Sequence, residues 1–179
     1  MSVEMIEFAK KKTLTSVMVN LILTHHIKKF AEIGVLMGQV AKWVLRSVSG
    51  SVLDEYWAVD RWMDDTRPEG DWERMYRNVC AYMPWFPNLR VVRMDSVDAS
   101  SIFRDGYFDM VMIDADHTYE GVAGDIGAWA GKVRKGGILC GHDYYETDND
   151  KRGVKRAVDD IFGVENVTTF HSLVWAVMV

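Results

Sequence analysis

The sequence predicts a three-layer α/β/α sandwich around a mostly parallel, seven-stranded sheet with one antiparallel strand in a C-terminal hairpin. Short apolar runs alternate with stretches of helical periodicity along the chain, which is typical of strands joined by crossover helices. One run, residues 110–113, is followed directly by two carboxylates and an imidazole, those of Asp114, Asp116 and His117. The last two runs are joined at His171-Ser172, a link too short for a parallel crossover, so they must pair as a hairpin.

Composition indicates one domain over residues 1–179, with an N-terminal helix in 1–27 and the α/β core in 28–179. The chain is 49% apolar and 26% charged, as is ordinary for a globular protein. Its net charge of −5 argues against nucleic acid or an anionic membrane as a partner, and no run approaches the roughly 20 apolar residues of a membrane span. We expect no signal peptide, and Cys80 and Cys140 form no disulfide framework or CxxC unit. A reduced, cytoplasmic protein is therefore expected.

The first predicted strand leads into a glycine turn. Residues 5–24 have the apolar spacing of an amphipathic helix, and residues 28–35 follow as a strand that runs into Gly34 and Gly38 and then a helix. A turn of this kind lets a ligand approach the backbone and offers free amides at a helix start, although an ordinary strand–turn–helix corner has the same pattern. The spacing is neither GxGxxG nor a P-loop. Glu32 lies inside the strand and needs a polar partner if it is buried.

Polar residues end the second and third predicted strands. Asp60 ends the strand over 55–61, where a carboxylate can accept both hydroxyls of a ribose or simply cap the strand. Asp95 and Ser96 end the strand over 88–94, where they can hydrogen-bond an adenine edge or cap a turn.

The connection between these two strands is predicted as a loop and a helix. The loop covers residues 63–71 and is either a surface loop or a lid beside a cofactor. The helix ends before Pro84 and Pro87, and its apolar spacing falls at Trp72, Met75, Tyr76, Val79, Cys80 and Met83.

The fourth predicted strand carries the densest polar cluster. Residues 110–113 are apolar throughout, as in a buried parallel strand, and Asp114, Asp116 and His117 follow directly. The next helix keeps helical spacing at Tyr119, Val122, Ala123, Ile126, Ala130 and Val133.

The fifth predicted strand, residues 138–140, ends at His142 and Asp143. A helix with apolar spacing at Val154, Ala157, Val158 and Ile161 follows, and then the hairpin strands over 166–171 and 173–179. The tips of strands four and five are neighbours in this fold, so their polar side chains should converge. The alternative is that the acids only cap helices and the histidines lie on the surface.

Several sequence blocks, in this order, resemble class I S-adenosylmethionine-dependent methyltransferases over roughly residues 28–179. The blocks are E-I-G-V-L-M-G (32–38), A-V-D (58–60), F-D-M-V-M-I-D-A-D-H-T-Y-E-G-V (108–122) and G-G-I-L-C-G-H-D-Y (136–144). The last two are similar to the small-molecule O-methyltransferases that include catechol, caffeoyl-CoA and macrocin-type enzymes. The resemblance implies a Rossmann-like fold and S-adenosylmethionine as cofactor.

The resemblance also implies cofactor-binding roles. The glycine turn would line the methionine part, the tip of the second strand the ribose, and the tip of the third strand the adenine. The implied set is Glu32, Gly34, Val35, Gly38, Asp60, Arg61, Asp95, Ser96 and Asp114.

For catalysis, the resemblance implies His117 and Asp114, with a possible divalent metal. In metal-dependent relatives, acids at the positions of Asp114 and Asp143 bind Mg²⁺ with a neighbouring residue. Catechol-type enzymes have Asn where Tyr144 stands, and macrocin-type enzymes have an acid where His142 stands. Two alternatives follow: His142 is the third ligand of Mg²⁺ or another divalent cation, or the site binds no metal. Imidazole suits Zn, Mn or Fe better than Mg. His117 occupies the place of a macrocin-type histidine and can take a proton near neutral pH as general base.

The sequence thus predicts an S-adenosylmethionine-dependent methyltransferase that O-methylates a small-molecule hydroxyl, such as a sugar, a phenol or another natural product. We expect a homo-oligomer with no nucleic-acid or membrane partner. Two alternatives remain at this point: an NAD(P)-dependent oxidoreductase on a related sheet, and a catalytically silent protein that binds S-adenosylmethionine or a nucleotide.

Overall fold

A computed structural model describes residues 13–48, 50, 52–63, 66–145 and 153–179. Residues 5–12 of the predicted N-terminal helix lie outside these ranges. The seven strands are β1 (Lys29–Ile33), β2 (Glu55–Asp60), β3 (Leu89–Arg93), β4 (Phe108–Ile113), β5 (Val133–Gly141), β6 (Thr168–Phe170) and β7 (Val174–Met178). The helices are α1 (Leu14–Thr24), α2 (Gln39–Ser47), α3 (Glu69–Cys80), α4 (Ser96–Ser100), α5 (Tyr119–Trp129) and α6 (Val154–Phe162).

The strands form one sheet in the order β3-β2-β1-β4-β5-β7-β6. Strands β1 to β5 are parallel, and β7 runs antiparallel to both β5 and β6. This confirms the predicted mostly parallel, seven-stranded sheet with an antiparallel strand in a C-terminal hairpin. The strand order reverses direction between β1 and β4, and such switch points are where open α/β sheets bind ligands.

Alternate residues of the central strands pack against two helix layers. Met110 and Met112 face the cluster that contains the buried side chains of α1, α2 and α3. Val111 and Ile113 face the cluster that contains those of α4, α5 and α6. All four side chains are at most 4% exposed, so both faces of β4 are covered and its tip is held rigidly.

The boundary between α5 and β5 differs from the sequence prediction. The helix ends at Trp129, a 3₁₀ turn covers Ala130–Lys132, and Val133 begins the strand instead of continuing the helix. Val133 has apolar spacing with α5, but it pairs with Phe108 of β4 and is buried in the same cluster as Val111 and Ile113. The pairing of β4 with β5 shifts register between Phe108 and Met110. This shift separates Val133, where β5 begins, from residues 138–140, the apolar run that the sequence predicted as the strand.

Three other elements also differ from the predictions. Helix α3 starts at Glu69, inside the predicted loop, with Pro68 at its N-cap; the acidic Glu69 and Asp71 in its first turn suit the positive end of the helix dipole. The short helix α4 was not expected, and β6 is only three residues long. Among the residues described, no helix is long and apolar enough to cross a membrane.

Candidate active site

A cavity of about 1000 Å³ lies at the carboxyl ends of the parallel strands. It spans the switch point between β1 and β4 and extends towards β3. Its lining includes eleven of the twelve residues singled out from the sequence: Glu32, Gly34, Val35, Asp60, Arg61, Asp95, Ser96, Asp114, His117, His142 and Asp143. The twelfth, Gly38, lies outside the lining. It precedes α2 with a φ of 72°, and a Cβ there would lie 2.8 Å from Cγ2 of Val79.

Gly34, after β1, packs directly against the backbone at the end of β4. Its φ is 88°, and a Cβ would lie 2.2 Å from the carbonyl oxygen of Asp114. The Asp114 amide in turn donates to the carbonyl oxygen of Ile33 at 2.7 Å. Only glycine satisfies both the backbone angle and the space, and its absent side chain brings the glycine turn directly against the polar cluster.

Asp60 stabilises the same turn through hydrogen bonds to its backbone. Its Oδ2 atom accepts hydrogen bonds from the amides of Val35 at 2.8 Å and Leu36 at 2.9 Å, and its Oδ1 atom accepts from the amide of Trp62 at 2.7 Å. The Trp62 indole also donates to the carbonyl oxygen of Leu36 at 2.8 Å. A carboxylate offers about four acceptor positions. These three bonds leave Asp60 room for about one more donor, fewer than the two ribose hydroxyls expected from the sequence.

Glu32 has the polar partner that its position requires. The carboxyl group is 1% exposed, and the hydroxyl of Tyr56 donates to its Oε2 atom at 2.5 Å. Burial, helped by the negative charges of Asp114 and Asp60, raises the pKa of Glu32 well above its usual value, although the Tyr56 hydrogen bond acts in the opposite direction. Glu32 therefore holds its proton more tightly than an ordinary glutamate, at a buried point of the cavity lining.

At the β3 end of the cavity, Asp95 caps α4 through its side chain, which accepts from the amide of Val97 at 3.0 Å. The Ser96 hydroxyl donates to Oδ1 of Asp125, and the Trp129 indole donates to the carbonyl oxygen of Ser96 at 3.1 Å. Two contacts from α5 therefore hold Ser96 in place.

Asp125 is a lining residue that the sequence reasoning missed. Burial, together with the nearby charges of Asp95 and Asp116, raises its pKa to about 6 despite the Ser96 hydrogen bond. The available signal was a carboxylate on the apolar stripe of a helix, three residues after Val122 and next to Ile126.

The polar residues at the tips of β4 and β5 converge. The Nε2 atom of His117 lies 3.2 Å from Oδ1 of Asp114 and 3.3 Å from Oδ2 of Asp143. The Nδ1 atom of His142 lies 3.8 Å from Oδ1 of Asp114 and 3.4 Å from Oδ1 of Asp143. Asp143 is 9% exposed, and its φ of 58° lies in the left-handed region.

The donor atoms at this cluster suit a divalent cation. Asp114, His117 and Asp143 each offer one ligand atom, and these atoms lie within 4.8 Å of one another. The family resemblance in the sequence implies His142 as the third ligand, whereas the distances in the structure favour His117. Tyr144, which stands where catechol-type enzymes have Asn, lies outside the cavity lining and donates its hydroxyl to Oδ1 of Asp159 at 2.5 Å.

The loop after β2 contributes to the cavity. Met63 and Thr66 line it together with Trp72 of α3, so this connection borders the cavity whether or not it moves as a lid. Residues 64 and 65 of the loop lie outside the described ranges, as do residues 146–152 of the loop that follows β5.

A family model for a methyltransferase domain matches residues 31–144, which is more than half of the chain. No curated protein matches the sequence.

Solved structures with similar folds share little sequence with this chain. Cofactor-bound Rv0187 from MTB is 17% identical, with a TM-score of 0.67 over 92% of this chain and 78% of its own. An O-methyltransferase from Bacillus cereus in complex with SAH is 15% identical, with a TM-score of 0.64 over 92% of this chain and 80% of its own. CalS11, a TDP-rhamnose 3′-O-methyltransferase, is 15% identical, with a TM-score of 0.59 over 90% of this chain and 77% of its own. At these identities, the similarity establishes the fold.

Proposed function

Because this chain belongs to the family of methyltransferase domains, we propose that it is an S-adenosylmethionine-dependent O-methyltransferase acting on a hydroxyl group of a small molecule. One observation carries this proposal: the glycine turn and the Asp/His cluster face the same cavity, with Gly34 packed on the backbone of Asp114. A cofactor on the turn would therefore present its methyl group beside the cluster. The family match favours methyl transfer over the oxidoreductase alternative.

In this proposal the cofactor lies across the tips of β1, β2 and β3. The turn around Gly34 and Val35 contacts the methionine part, Asp60 and Arg61 contact the ribose, and Asp95 and Ser96 contact the adenine. All these residues line the cavity. Because Asp60 already accepts three backbone amides, its first role is to shape the turn, and it can receive about one ribose hydroxyl in addition.

His117 is the proposed general base. When bound, S-adenosylmethionine would supply the methyl group on its sulfonium: an O–CH₃ bond to the acceptor would form as the S–CH₃ bond broke, and the sulfur would keep the electron pair as a neutral thioether. The hydroxyl proton passes to Nε2 of His117. That atom already lies 3.2 Å from Asp114 and 3.3 Å from Asp143, so the acceptor hydroxyl must approach beside these carboxylates.

Asp114 and Asp143 are the proposed ligands of a divalent cation, with one histidine as the third. Such a cation, when bound, lowers the pKa of a hydroxyl and orients it for transfer. If His117 is the base, then His142 is the ligand, and its Nδ1 atom lies 3.8 and 3.4 Å from the two carboxylates. Nitrogen in the ligand set favours Mn²⁺, Fe²⁺ or Zn²⁺ over Mg²⁺.

The acceptor class is proposed more broadly, as a sugar, a phenol or another hydroxylated natural product. The lining near the cluster includes the polar side chains of Thr118 and Glu120, which suits a polyhydroxylated acceptor. The sugar nucleotide named for CalS11 makes a sugar the first class to test. A homo-oligomer also remains our prediction, and a sizing experiment tests it.

The experiment is methyl transfer from labelled S-adenosylmethionine to panels of sugar nucleotides, phenols and hydroxy acids, with and without Mn²⁺ or Mg²⁺. We expect turnover with one hydroxylated class and its loss in Asp143→Ala. The control is Asp160→Asn on α6, which removes only a 3.8 Å ion pair with Arg156 at the surface. Cofactor binding without turnover in any panel would favour the catalytically silent alternative.

A further inference from the structure

The Ser96 hydroxyl has only one hydrogen, and the structure commits it to Asp125. The hydroxyl donates to Oδ1 of Asp125, a side chain on the neighbouring helix α5 that is 2% exposed. The Trp129 indole fixes the Ser96 backbone at the same time. Both Ser96 and Asp125 line the β3 end of the cavity.

A serine hydroxyl carries one donor and two acceptor positions. Once its hydrogen points to a buried carboxylate, the oxygen can only accept a hydrogen bond from a molecule in the cavity. Asp95 adds a second carboxylate at the same end, which also accepts and does not donate. A ligand group at this end of the cavity therefore meets acceptors on both residues.

The same end of the cavity leaves room for a flat ring. Gly124 of α5, next to Asp125, lines the cavity, and nothing lies within 4 Å of where its Cβ would be. With a pKa of about 6, Asp125 is mostly ionised at neutral pH and acts as an acceptor for Ser96. The site thus combines space for a planar group with a Ser96 hydroxyl that can accept a hydrogen bond from a ligand but cannot donate one.

We propose that Asp125 is a positioning residue for nucleobase recognition, which selects a base that bears an amino group by keeping the Ser96 hydroxyl an acceptor. The inference rests on the proposed cofactor site, in which the β3 end receives adenine. Adenine presents a 6-amino donor to this acceptor, whereas hypoxanthine presents a 6-oxo acceptor, which finds no donor on the side chains of Ser96 and Asp95. Leaving such a polar group unpaired costs about 1–3 kcal/mol, roughly 5- to 150-fold in affinity.

The test compares the affinities of the full-length protein for S-adenosylhomocysteine and S-inosylhomocysteine by calorimetry. We expect the wild type to prefer the adenosyl ligand by about 30-fold or more. In Asp125→Ala the released hydroxyl can turn and donate to the 6-oxo group, so the preference should fall below about tenfold. Asp125→Asn, which is nearly isosteric, is the second variant and should also lower the ratio, because its amide can donate to Ser96.

The double variant Ser96→Ala/Asp125→Ala separates this role from a general effect on the fold. If Asp125 acts through Ser96, the ratio in Ser96→Ala should be low already and should change little on adding Asp125→Ala. An unchanged ratio in both Asp125 variants would overturn the inference while leaving the cofactor site intact. Failure of the wild type to bind either ligand would overturn the proposed function and this inference with it.

Discussion

The Nε2 atom of His117 lies 3.2 Å from Oδ1 of Asp114, three residues earlier in the chain. It also lies 3.3 Å from Asp143, at the tip of the neighbouring strand. His142 reaches the same two carboxylates from 3.8 and 3.4 Å. Two histidines beside two carboxylates allow two assignments of base and cation ligand, and variants can distinguish them.

If His117 is the base and His142 the cation ligand, His117→Ala should lower kcat by about 10²- to 10⁴-fold, the usual contribution of a general base, and should leave the Mn²⁺ affinity nearly unchanged. His142→Ala should instead weaken Mn²⁺ binding by about tenfold or more, with partial recovery of turnover at high Mn²⁺. Initial rates and calorimetric Mn²⁺ titration on both variants provide the comparison. Loss of Mn²⁺ binding in His117→Ala alone would make His117 the ligand and remove its assignment as base.

Asp60→Asn should weaken S-adenosylhomocysteine binding by about tenfold or more. An asparagine has one acceptor oxygen, so either the pair of amides in the glycine turn or the Trp62 amide loses its partner, at about 1–3 kcal/mol. Asp54→Asn is the matched control, since it alters only a surface ion pair between the Asp54 side chain and Lys28 at 3.8 Å. Equal calorimetric affinities for the two variants would show that Asp60 does not shape the cofactor site.

Tyr56→Phe should lower the free energy of unfolding by about 1–3 kcal/mol, because it removes the hydrogen bond to a carboxyl group that is 1% exposed. The control is Tyr107→Phe, which removes a hydrogen bond to Glu55 at 2.7 Å in a partly exposed place. Urea denaturation of both variants gives the comparison. If Tyr107→Phe lowered the free energy of unfolding as much as Tyr56→Phe, burial of the Tyr56–Glu32 pair would not account for the effect.

Stability should depend on pH through Asp125. Its pKa rises from 3.8 to about 6 on folding, so the folded protein binds the proton more tightly than the unfolded chain, and the free energy of unfolding falls as pH rises between these values. The full effect is at most about 3 kcal/mol and is constant above pH of about 7. Asp125→Asn should remove this decline in the free energy of unfolding. Thermal denaturation between pH 4 and pH 7, roughly the interval of this titration, measures the effect. The charges that face Asp125 are Asp95 and Asp116, and an identical pH profile in the variant would show that Asp125 does not titrate in this way.

The sequence predicted the fold and the convergence of the polar residues at the strand tips, for one physical reason. Buried parallel strands are short apolar runs, and their carboxyl ends meet along one edge, so polar residues that end such runs converge. Asp114, His117, His142 and Asp143 could therefore be grouped although they come from separate strands.

What the sequence missed depends on contacts between elements. The end of α5 was misplaced because Val133 has helical spacing but packs as a strand residue. Asp60 was assigned to the ribose, but its bonds to the glycine turn depend on how β1 and β2 pair. Asp125 was missed because its partner, Ser96, lies on another element, and spacing within α5 cannot reveal that contact.

The most direct test of the proposed function is calorimetric titration of the full-length protein with S-adenosylmethionine and S-adenosylhomocysteine, each with and without Mn²⁺. We predict binding of both in the micromolar range. Tighter binding with Mn²⁺ would support the site at Asp114 and Asp143 as well. Absence of binding by either ligand would contradict the proposed S-adenosylmethionine-dependent methyl transfer.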